Sequence, residues 1–272
     1  MNPEILNRKG GRKIEGIPNE VLKLLNTGKI ETVNLTEWLA IDHLKLIQSN
    51  FPKLEISDKI IKDIKKQIKE LKKPSTMNIT KLVGAILYEN YKDNKKLDLI
   101  LKKMMNHQSD SIRCYAPYLI SLNDRLKIDE QLKEAKPLIA DTHFGVREVV
   151  WMALRPELVK ELKKSIQILT KWTKDKNENI RRFTTEATRP RGVWCKHIDE
   201  LKENPELALS ILENLKSDSS KYVQDSVGNW LNDASKSDPK FVLELCKKWK
   251  SESPTKETEK IIKRAKRTLN KK

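Results

Sequence analysis

Apolar residues recur at steps of three and four along almost the whole chain, and strict alternation is rare. This period is typical of amphipathic α-helices. It predicts helices at residues 18–26, 34–49, 57–72, 78–91, 95–106, 110–122, 128–139, 145–154, 157–173, 178–188, 205–216, 219–235, 239–250 and 255–269. Breaks are expected at Asn26-Thr27-Gly28 and at the prolines of Phe51-Pro52, Lys73-Pro74, Arg155-Pro156 and Arg189-Pro190, because proline removes a backbone donor. The chain is therefore predicted to be all-α.

An apolar residue followed by arginine returns at a constant interval. Ile112-Arg113, Val146-Arg147 and Ile180-Arg181 lie 34 residues apart, and Tyr222-Val223 begins a further copy after a longer insert. Periods of about 34–47 residues with paired helices are typical of TPR or HEAT/armadillo repeats. The TPR signature is missing, so the pattern favours HEAT-like repeats.

The repeats predict the domain organisation. Each helix pair needs its neighbours to bury its apolar face, which favours a single repeat domain over residues 17–272. Residues 1–16, which contain Arg8-Lys9-Gly10-Gly11-Arg12-Lys13, are predicted to be a flexible basic arm. Residues 255–272 form either a basic helix that touches nucleic acid or a capping helix with a solvated outer face. We favour the basic C-terminal capping helix.

Charge and cysteine content narrow the function classes. The 272 residues include 55 Lys and Arg against 38 Asp and Glu, for a net charge of +17. This balance favours nucleic acid or another polyanion as partner, although a lysine-rich surface alone would also produce it. Cys114, Cys195 and Cys246 lie far apart, which indicates free thiols in a reducing cytoplasm and no metal site. No apolar stretch reaches membrane-spanning length.

Arginines, acids and tryptophans share helix faces in the second half of the chain. The three predicted faces are Arg147/Trp151/Arg155, Arg182/Glu186/Arg189, and Tyr222/Ser226/Asn229/Trp230/Asp233/Lys236. Stacked in parallel, they would line one concave surface, and arginine rows with interleaved tryptophan are typical of nucleic-acid grooves. The alternatives are ordinary ion pairs along a helix for Arg182 and Glu186, and packing on the next repeat for Trp230.

Residues 141–250 resemble the AlkC/AlkD group of alkylpurine DNA glycosylases, and AlkC most closely. The resemblance rests on Arg181-Arg182, Glu186, Arg189-Pro190-Arg191, Trp194, Ser220, Tyr222-Val223, Ser226-Val227, Leu231-Asn232-Asp233 and Lys236. It implies a right-handed α-α superhelix whose concave face holds duplex DNA. It also implies that Asp233 is the catalytic carboxylate. His143 stands where the AlkC pattern has a glutamate, and we expect no additional immunoglobulin-like domain.

The resulting hypothesis is a monofunctional 3-methyladenine-type DNA glycosylase that excises N3- or N7-alkylated purines from double-stranded DNA. The predicted site comprises catalytic Asp233 and Glu186, lesion-contacting Trp194, Trp151, Trp230 and His143, and backbone-binding Arg147, Arg155, Arg181, Arg182, Arg189, Arg191 and Lys236. No cofactor or metal is expected, and we expect a cytoplasmic, nucleoid-associated bacterial monomer. A non-catalytic binder of damaged or branched DNA and a protein-interaction scaffold remain the alternatives.

Overall fold

The computed structural model describes residues 3–271, the side chain of Lys271 excepted, and it contains no β-strand in that range. The α-helices are α1 (Pro3–Leu6), α2 (Asn19–Asn26), α3 (Leu35–Leu39), α4 (His43–Asn50), α5 (Asp58–Glu70), α6 (Thr76–Tyr91), α7 (Lys96–Met105), α8 (Asp110–Arg113), α9 (Ala116–Ser121), α10 (Ile128–Ile139), α11 (Phe144–Lys160), α12 (Leu162–Trp172), α13 (Glu178–Glu186), α14 (Asp199–Glu203), α15 (Leu209–Asn214), α16 (Lys221–Ala234), α17 (Pro239–Glu252) and α18 (Lys256–Ala265). Short 3-10 helices lie at Ile14–Gly16, Phe51–Leu54, Pro205–Ala208 and Leu269–Lys271. The all-α prediction is confirmed.

The chain forms two compact units. Unit 1 comprises the described residues up to Lys127 together with Lys133–Ala153, and unit 2 comprises Ile128–Leu132 and the residues from Leu154 onward. The single repeat domain over residues 17–272 stays a prediction. Between residues 3 and 271, no helix has both the length and the apolar character needed to cross a bilayer.

Several predicted helices have different boundaries in the structure, and residues 110–122 and 205–216 are each divided into two shorter elements. For two further segments the physical reason can be identified. The segment 34–49 is split into α3 and α4 because the Asp42 side chain accepts hydrogen bonds from the Leu44 and Lys45 amides and starts a new helix. Conversely, Pro156 lies inside α11, where a break was expected. Leu154 and Leu158 are fully buried on either side of it. Their packing offsets the cost of an interior proline, about 3 kcal/mol.

The 34-residue repeat of arginines has a structural cause. In each copy the Nη1 atom donates to the carbonyls five and six residues earlier: Arg113 to His107 and Gln108, Arg147 to Asp141 and Thr142, and Arg181 to Asp175 and Lys176. In the last copy Gln224 takes this place and donates to the Asp218 carbonyl at 2.7 Å. The arginine therefore closes the turn that precedes each of these helices.

The same arginines also join one repeat to the next. Arg113 donates from Nε to Asp141 at 2.8 Å within unit 1, and Arg181 donates from Nε to Asp218 at 2.6 Å within unit 2. Asp141 and Asp218 in turn accept backbone amides at the start of the following helix. The arginine thus recurs because it closes the turn before its own helix and, in Arg113 and Arg181, also binds an aspartate of the next repeat.

In unit 2, helices α13, α16 and α18 lie side by side in a parallel row. Residues that come later in one helix contact residues that come later in its neighbour, as expected for parallel helices. Between α13 and α16, Ser226 contacts Thr185, and Asp233, further along α16, accepts from Arg189, just beyond the end of α13. The first residues of α18 lie beside the turn that leads into α16, and Thr268, just beyond α18, donates its amide to Asn232. This row carries the candidate site.

The amino-terminal segment, predicted to be a flexible basic arm, has fixed contacts in unit 1. Ile5 is buried, and the Arg8 guanidinium donates from Nε and Nη2 to Glu37 at 2.9 and 2.7 Å. It also reaches the carbonyls of Ile5 and Glu31. Arg8 is therefore a structural residue in this fold.

Candidate functional site

Asp233 lies in the last turn of α16 and is 4% exposed. Its Oδ2 atom accepts hydrogen bonds from Nε and Nη2 of Arg189, at 2.9 and 2.7 Å. Its Oδ1 atom accepts from Lys236 at 3.2 Å. Two cations therefore offset both the burial of this carboxylate and its position at the negative end of the helix dipole.

Glu186, at the end of α13, is the second buried carboxylate of the site. Its Oε1 atom accepts from the Ser226 hydroxyl at 2.8 Å, and Ser226 in turn contacts Thr185 at 2.6 Å. Its Oε2 atom accepts from Nη1 of Arg189 at 3.3 Å. Ser226 thus links Glu186 to α16, a contact that helical spacing alone does not reveal.

Arg189 is shared by the two carboxylates. Nη1 faces Glu186 while Nε and Nη2 face Asp233. Burial alone would lower the pKa of this guanidinium, but the charges of Glu186 and Asp233 raise it above its ordinary value. Two carboxylates and one guanidinium are thus held together at the carboxyl ends of α13 and α16.

Arg182 lies one helical turn before Glu186 on α13. Its Nη2 atom is 3.4 Å from Oε1 of Glu186, and its guanidinium carbon lies 4.2 Å from the centre of the Tyr222 ring. The ring therefore positions the arginine by a cation–π contact between α13 and α16. Of the arginines predicted to bind the DNA backbone, Arg182 and Arg189 both lie beside the carboxylates, with side chains that are 13% and 14% exposed.

The loop between α13 and α14 presents Trp194. The indole is 63% exposed, and the residue adopts φ 61°, a left-handed conformation that is rare for a bulky side chain. Such strain costs on the order of 1–3 kcal/mol and persists where the surroundings impose it. Arg191 attaches the loop to the carboxyl end of α16 through a 2.7 Å hydrogen bond from Nη2 to the Ser237 hydroxyl.

Arg155 is buried beneath this loop and holds it in place through hydrogen bonds. Its guanidinium donates to the carbonyls of Lys196 at 3.0 Å, Ala187 at 3.0 Å and Arg189. Gly192 packs so closely that an added Cβ would meet the Cys195 sulfur at 2.2 Å. The prediction that Arg155 binds phosphates is wrong, because its guanidinium binds three carbonyls of the loop and the side chain is buried.

Two of the predicted lesion-contacting tryptophans are buried. Trp230 is 0% exposed, and its indole donates to the Thr188 carbonyl at 2.9 Å. Trp151, in unit 1, is also buried, and its indole donates to Glu148 at 2.9 Å. Neither ring has an open face for a base, so the lesion-contacting role predicted for them is wrong.

His143 is likewise part of the interior of unit 1. Its Nδ1 atom accepts the Gly145 amide at 3.1 Å, so Nε2 carries the proton and donates to the Thr32 carbonyl at 2.8 Å. Thr32 also bonds the buried Asp110 through its hydroxyl at 2.9 Å. The ring has both nitrogens engaged and is buried, which is at odds with the predicted contact to a lesion.

The repeat arginines have structural partners. Arg181 has all three nitrogens bonded, to Asp218 and to the carbonyls of Asp175 and Lys176, so the predicted backbone-binding role does not fit it. Arg147 lies in unit 1 and donates to the Asp141 and Thr142 carbonyls. Its place on a common DNA-binding surface stays a prediction.

The comparisons with known proteins now decide the family. Residues 49–267 match the model of the DNA alkylation repair enzyme family. The chain belongs to this family. The predicted resemblance to the AlkC/AlkD group is therefore confirmed, and with it the helical-repeat fold class.

Solved structures of the family show the same architecture. Pseudomonas fluorescens alkylpurine DNA glycosylase AlkC, bound to DNA containing an abasic site analog, is 28% identical with a TM-score of 0.67, over 85% of this chain and 63% of that one. AlkD2 from Streptococcus mutans is 30% identical with a TM-score of 0.56, over 68% of this chain and 87% of that one.

A curated relative shares sequence over a shorter range. Uncharacterized protein YhaZ from Bacillus subtilis (strain 168) is 42% identical over 137 residues, which is 50% of this chain and 37% of that protein. The matched part thus covers less than two thirds of this relative and of AlkC.

Metal coordination has no candidate in the described part of the chain. Within residues 3–271, no three His, Cys, Asp or Glu side chains come together in a way that could hold a metal ion.

Proposed function

We propose that this chain binds alkylated duplex DNA and hydrolyses the N-glycosidic bond of N3- or N7-alkylated purines. The observation that carries the proposal is the pair of buried carboxylates, Asp233 and Glu186, held by one arginine beside a loop with an exposed indole. Membership of the DNA alkylation repair enzyme family supports it. So does the DNA with an abasic site analog that AlkC holds.

The protein does not need to activate the leaving group, because alkylation already makes the purine cationic. As the C1′–N bond breaks, its electron pair leaves with the base, which departs neutral, and positive charge develops on the sugar. The Asp233 carboxylate stabilises this oxocarbenium ion and orients a water molecule. Water then forms the new C1′–O bond and releases its proton to solvent.

Asp233 has acceptor capacity for this role. An ionised carboxylate has about four lone-pair positions, of which Arg189 and Lys236 occupy three. Arg189 and Lys236 also share the negative charge of this carboxylate. We propose that Glu186 draws Arg189 to one side and so leaves more negative charge on Asp233.

The exposed Trp194 indole is the proposed contact for the cationic base. A cation over an indole face gains about 0.5–2 kcal/mol. Lys236, whose side chain is 41% exposed, is open to a phosphate, and we propose that Arg182 contacts the DNA backbone as well. We propose that the protein acts on the nucleoid as a base-excision enzyme.

The deciding experiment measures release of 3-methyladenine and 7-methylguanine from methylated duplex DNA. We expect the wild-type protein to release base and Asp233→Asn to lose at least 100-fold in rate, the scale set by single electrostatic groups in other enzymes. DNA affinity should persist in the variant. Asn232→Asp with Asp233→Asn moves the acid by one residue at constant charge and should not restore release.

The outcome also separates the alternatives. Wild-type binding with no base release would favour a non-catalytic binder of damaged or branched DNA on the same fold. An absence of salt-dependent DNA binding would oppose both DNA functions and leave a protein-interaction scaffold.

A further inference from the structure

The third helix of the parallel row, α18, carries a stripe of cations. Lys260, Lys263 and Arg264 follow one another at steps of three and one residues and share one face of α18, and Arg267 lies in the turn just beyond the helix. The opposite face of α18 is apolar, with Ile261 and Ala265 fully buried. The stripe is therefore the outward face of a well-packed helix.

This stripe borders a cleft of about 560 Å³ between α18 and the start of α16. The cleft is lined by Lys221, Gln224, Asp225, Lys260, Lys263, Arg264, Arg267 and Asn270. Five cations thus face one carboxylate. Asp225 is itself bound by Arg264 at 2.6 Å and by Lys221 at 3.0 Å.

Three of the cations keep their charge uncompensated. Within the described part of the chain, Lys260, Lys263 and Arg267 form no ion pair and are exposed. Arg264 has a different role, because its side chain packs on Gly228, where an added Cβ would approach it to 2.7 Å. Arg264 holds the two helices together, while its neighbours remain available to a ligand.

We propose that this cleft binds the phosphate backbone of duplex DNA beyond the alkylated base, an inference that rests on the proposed function. Charge complementarity and the position of the cleft both support this assignment. From Lys260 to Arg264 the stripe runs about 6 Å along the helix axis, comparable to two steps of about 3.4 Å along one DNA strand, and Arg267 extends it beyond the helix end. It also lies on the helix next to α16, whose far end holds Asp233.

The experiment uses the full chain with Lys260, Lys263 and Arg267 all changed to alanine. The matched control changes Lys240, Lys247 and Lys250 to alanine on α17, which removes the same charge from exposed positions that do not line the cleft. Affinity for an undamaged duplex is measured between 50 and 200 mM salt. We expect the cleft variant to lower the slope of log affinity against log salt by about two to three, since each phosphate contact contributes about 0.9.

The control variant should keep the wild-type slope. Equal losses in both variants would mean that net charge alone matters and would overturn the inference, as would an unchanged slope in the cleft variant. Tighter binding of anionic-lipid vesicles than of duplex by the wild type would assign the cleft to a membrane surface and overturn it as well.

Failure of the proposed catalysis remains distinguishable from failure of this inference. Base release by enzyme saturated with methylated duplex reports on Asp233 and should be unchanged in the cleft variant. A wild type that binds DNA without releasing base would refute the glycosylase while leaving the slope comparison intact.

Discussion

Arg189 donates two hydrogen bonds to a single oxygen of Asp233, from Nε at 2.9 Å and from Nη2 at 2.7 Å. Its remaining terminal nitrogen contacts Glu186 at 3.3 Å. One guanidinium therefore fixes the position of the proposed catalytic carboxylate and connects it to the second acid. A lysine could not satisfy this geometry, because a point charge does not offer donors in a planar fork.

Loss of Arg189 should cost both stability and base release. We expect Arg189→Met to lower the free energy of unfolding by about 3–5 kcal/mol, because it leaves two buried carboxylates without their shared partner. Arg189→Lys should lose less stability yet release base more slowly than wild type. Denaturant unfolding and single-turnover release measure the two effects. A fully active Arg189→Met variant would exclude a positioning role.

Trp194 and Trp230 should respond in opposite ways to replacement. Trp194→Ala removes an exposed ring and should change the free energy of unfolding by less than about 0.5 kcal/mol, while weakening binding to methylated DNA. Trp230→Ala empties a fully buried position and should cost about 3–5 kcal/mol. Calorimetry and DNA titration test the pair. Equal binding of methylated DNA by Trp194→Ala and wild type would remove the indole from the interface.

Arg181 and Arg182 are adjacent in sequence and should differ in function. Arg181→Gln breaks the bidentate link to Asp218, so it should destabilise the fold by about 3 kcal/mol or more while leaving the salt dependence of DNA binding unchanged. Arg182→Gln should lower the salt slope by about one and cost less stability. Salt titrations of both variants provide the comparison. The reverse result would place Arg181, not Arg182, at the phosphates.

His43 should make unfolding sensitive to mild acid. Burial lowers the pKa of this ring to about 4 from 6.5. The unfolded chain therefore takes up the proton first, and the stability that the neutral ring contributes above pH 6.5 is lost as the pH falls toward 4. Between pH 7 and 5 the loss should be about 2 kcal/mol, since one pKa unit corresponds to about 1.4 kcal/mol.

The measurement is the free energy of unfolding of wild type and His43→Gln at both pH values. The variant should lose about 2 kcal/mol less than wild type on acidification. The exposed His197→Gln is the matched control and should follow wild type. Identical pH profiles of the free energy of unfolding for wild type and His43→Gln would show that His43 does not cause the acid sensitivity.

Much of the architecture could be predicted because it follows from the spacing of residues that are close together in the sequence. Helical period located most of the helices, and the return of an apolar residue with arginine every 34 residues located the repeats. Glu186 and Arg189 could be grouped by helical spacing, and the expected parallel stacking of the repeats placed Asp233 on the same surface. What spacing could not supply was the reason for the repeat, since the turn-closing role of Arg181 depends on contacts with Asp175, Lys176 and Asp218.

Sequence by itself determined the all-α fold, the repeat length and the family of this protein, because these follow from periodicity and from motif order. Tertiary structure alone decided which aromatic and cationic side chains are available to a ligand. Trp230 and Trp194 look alike as residues near acids and arginines, yet packing between α13 and α16 buries the first, while a loop closed by Arg155 exposes the second. A helix in a stacked row is covered on more than one side, and periodicity does not encode that coverage.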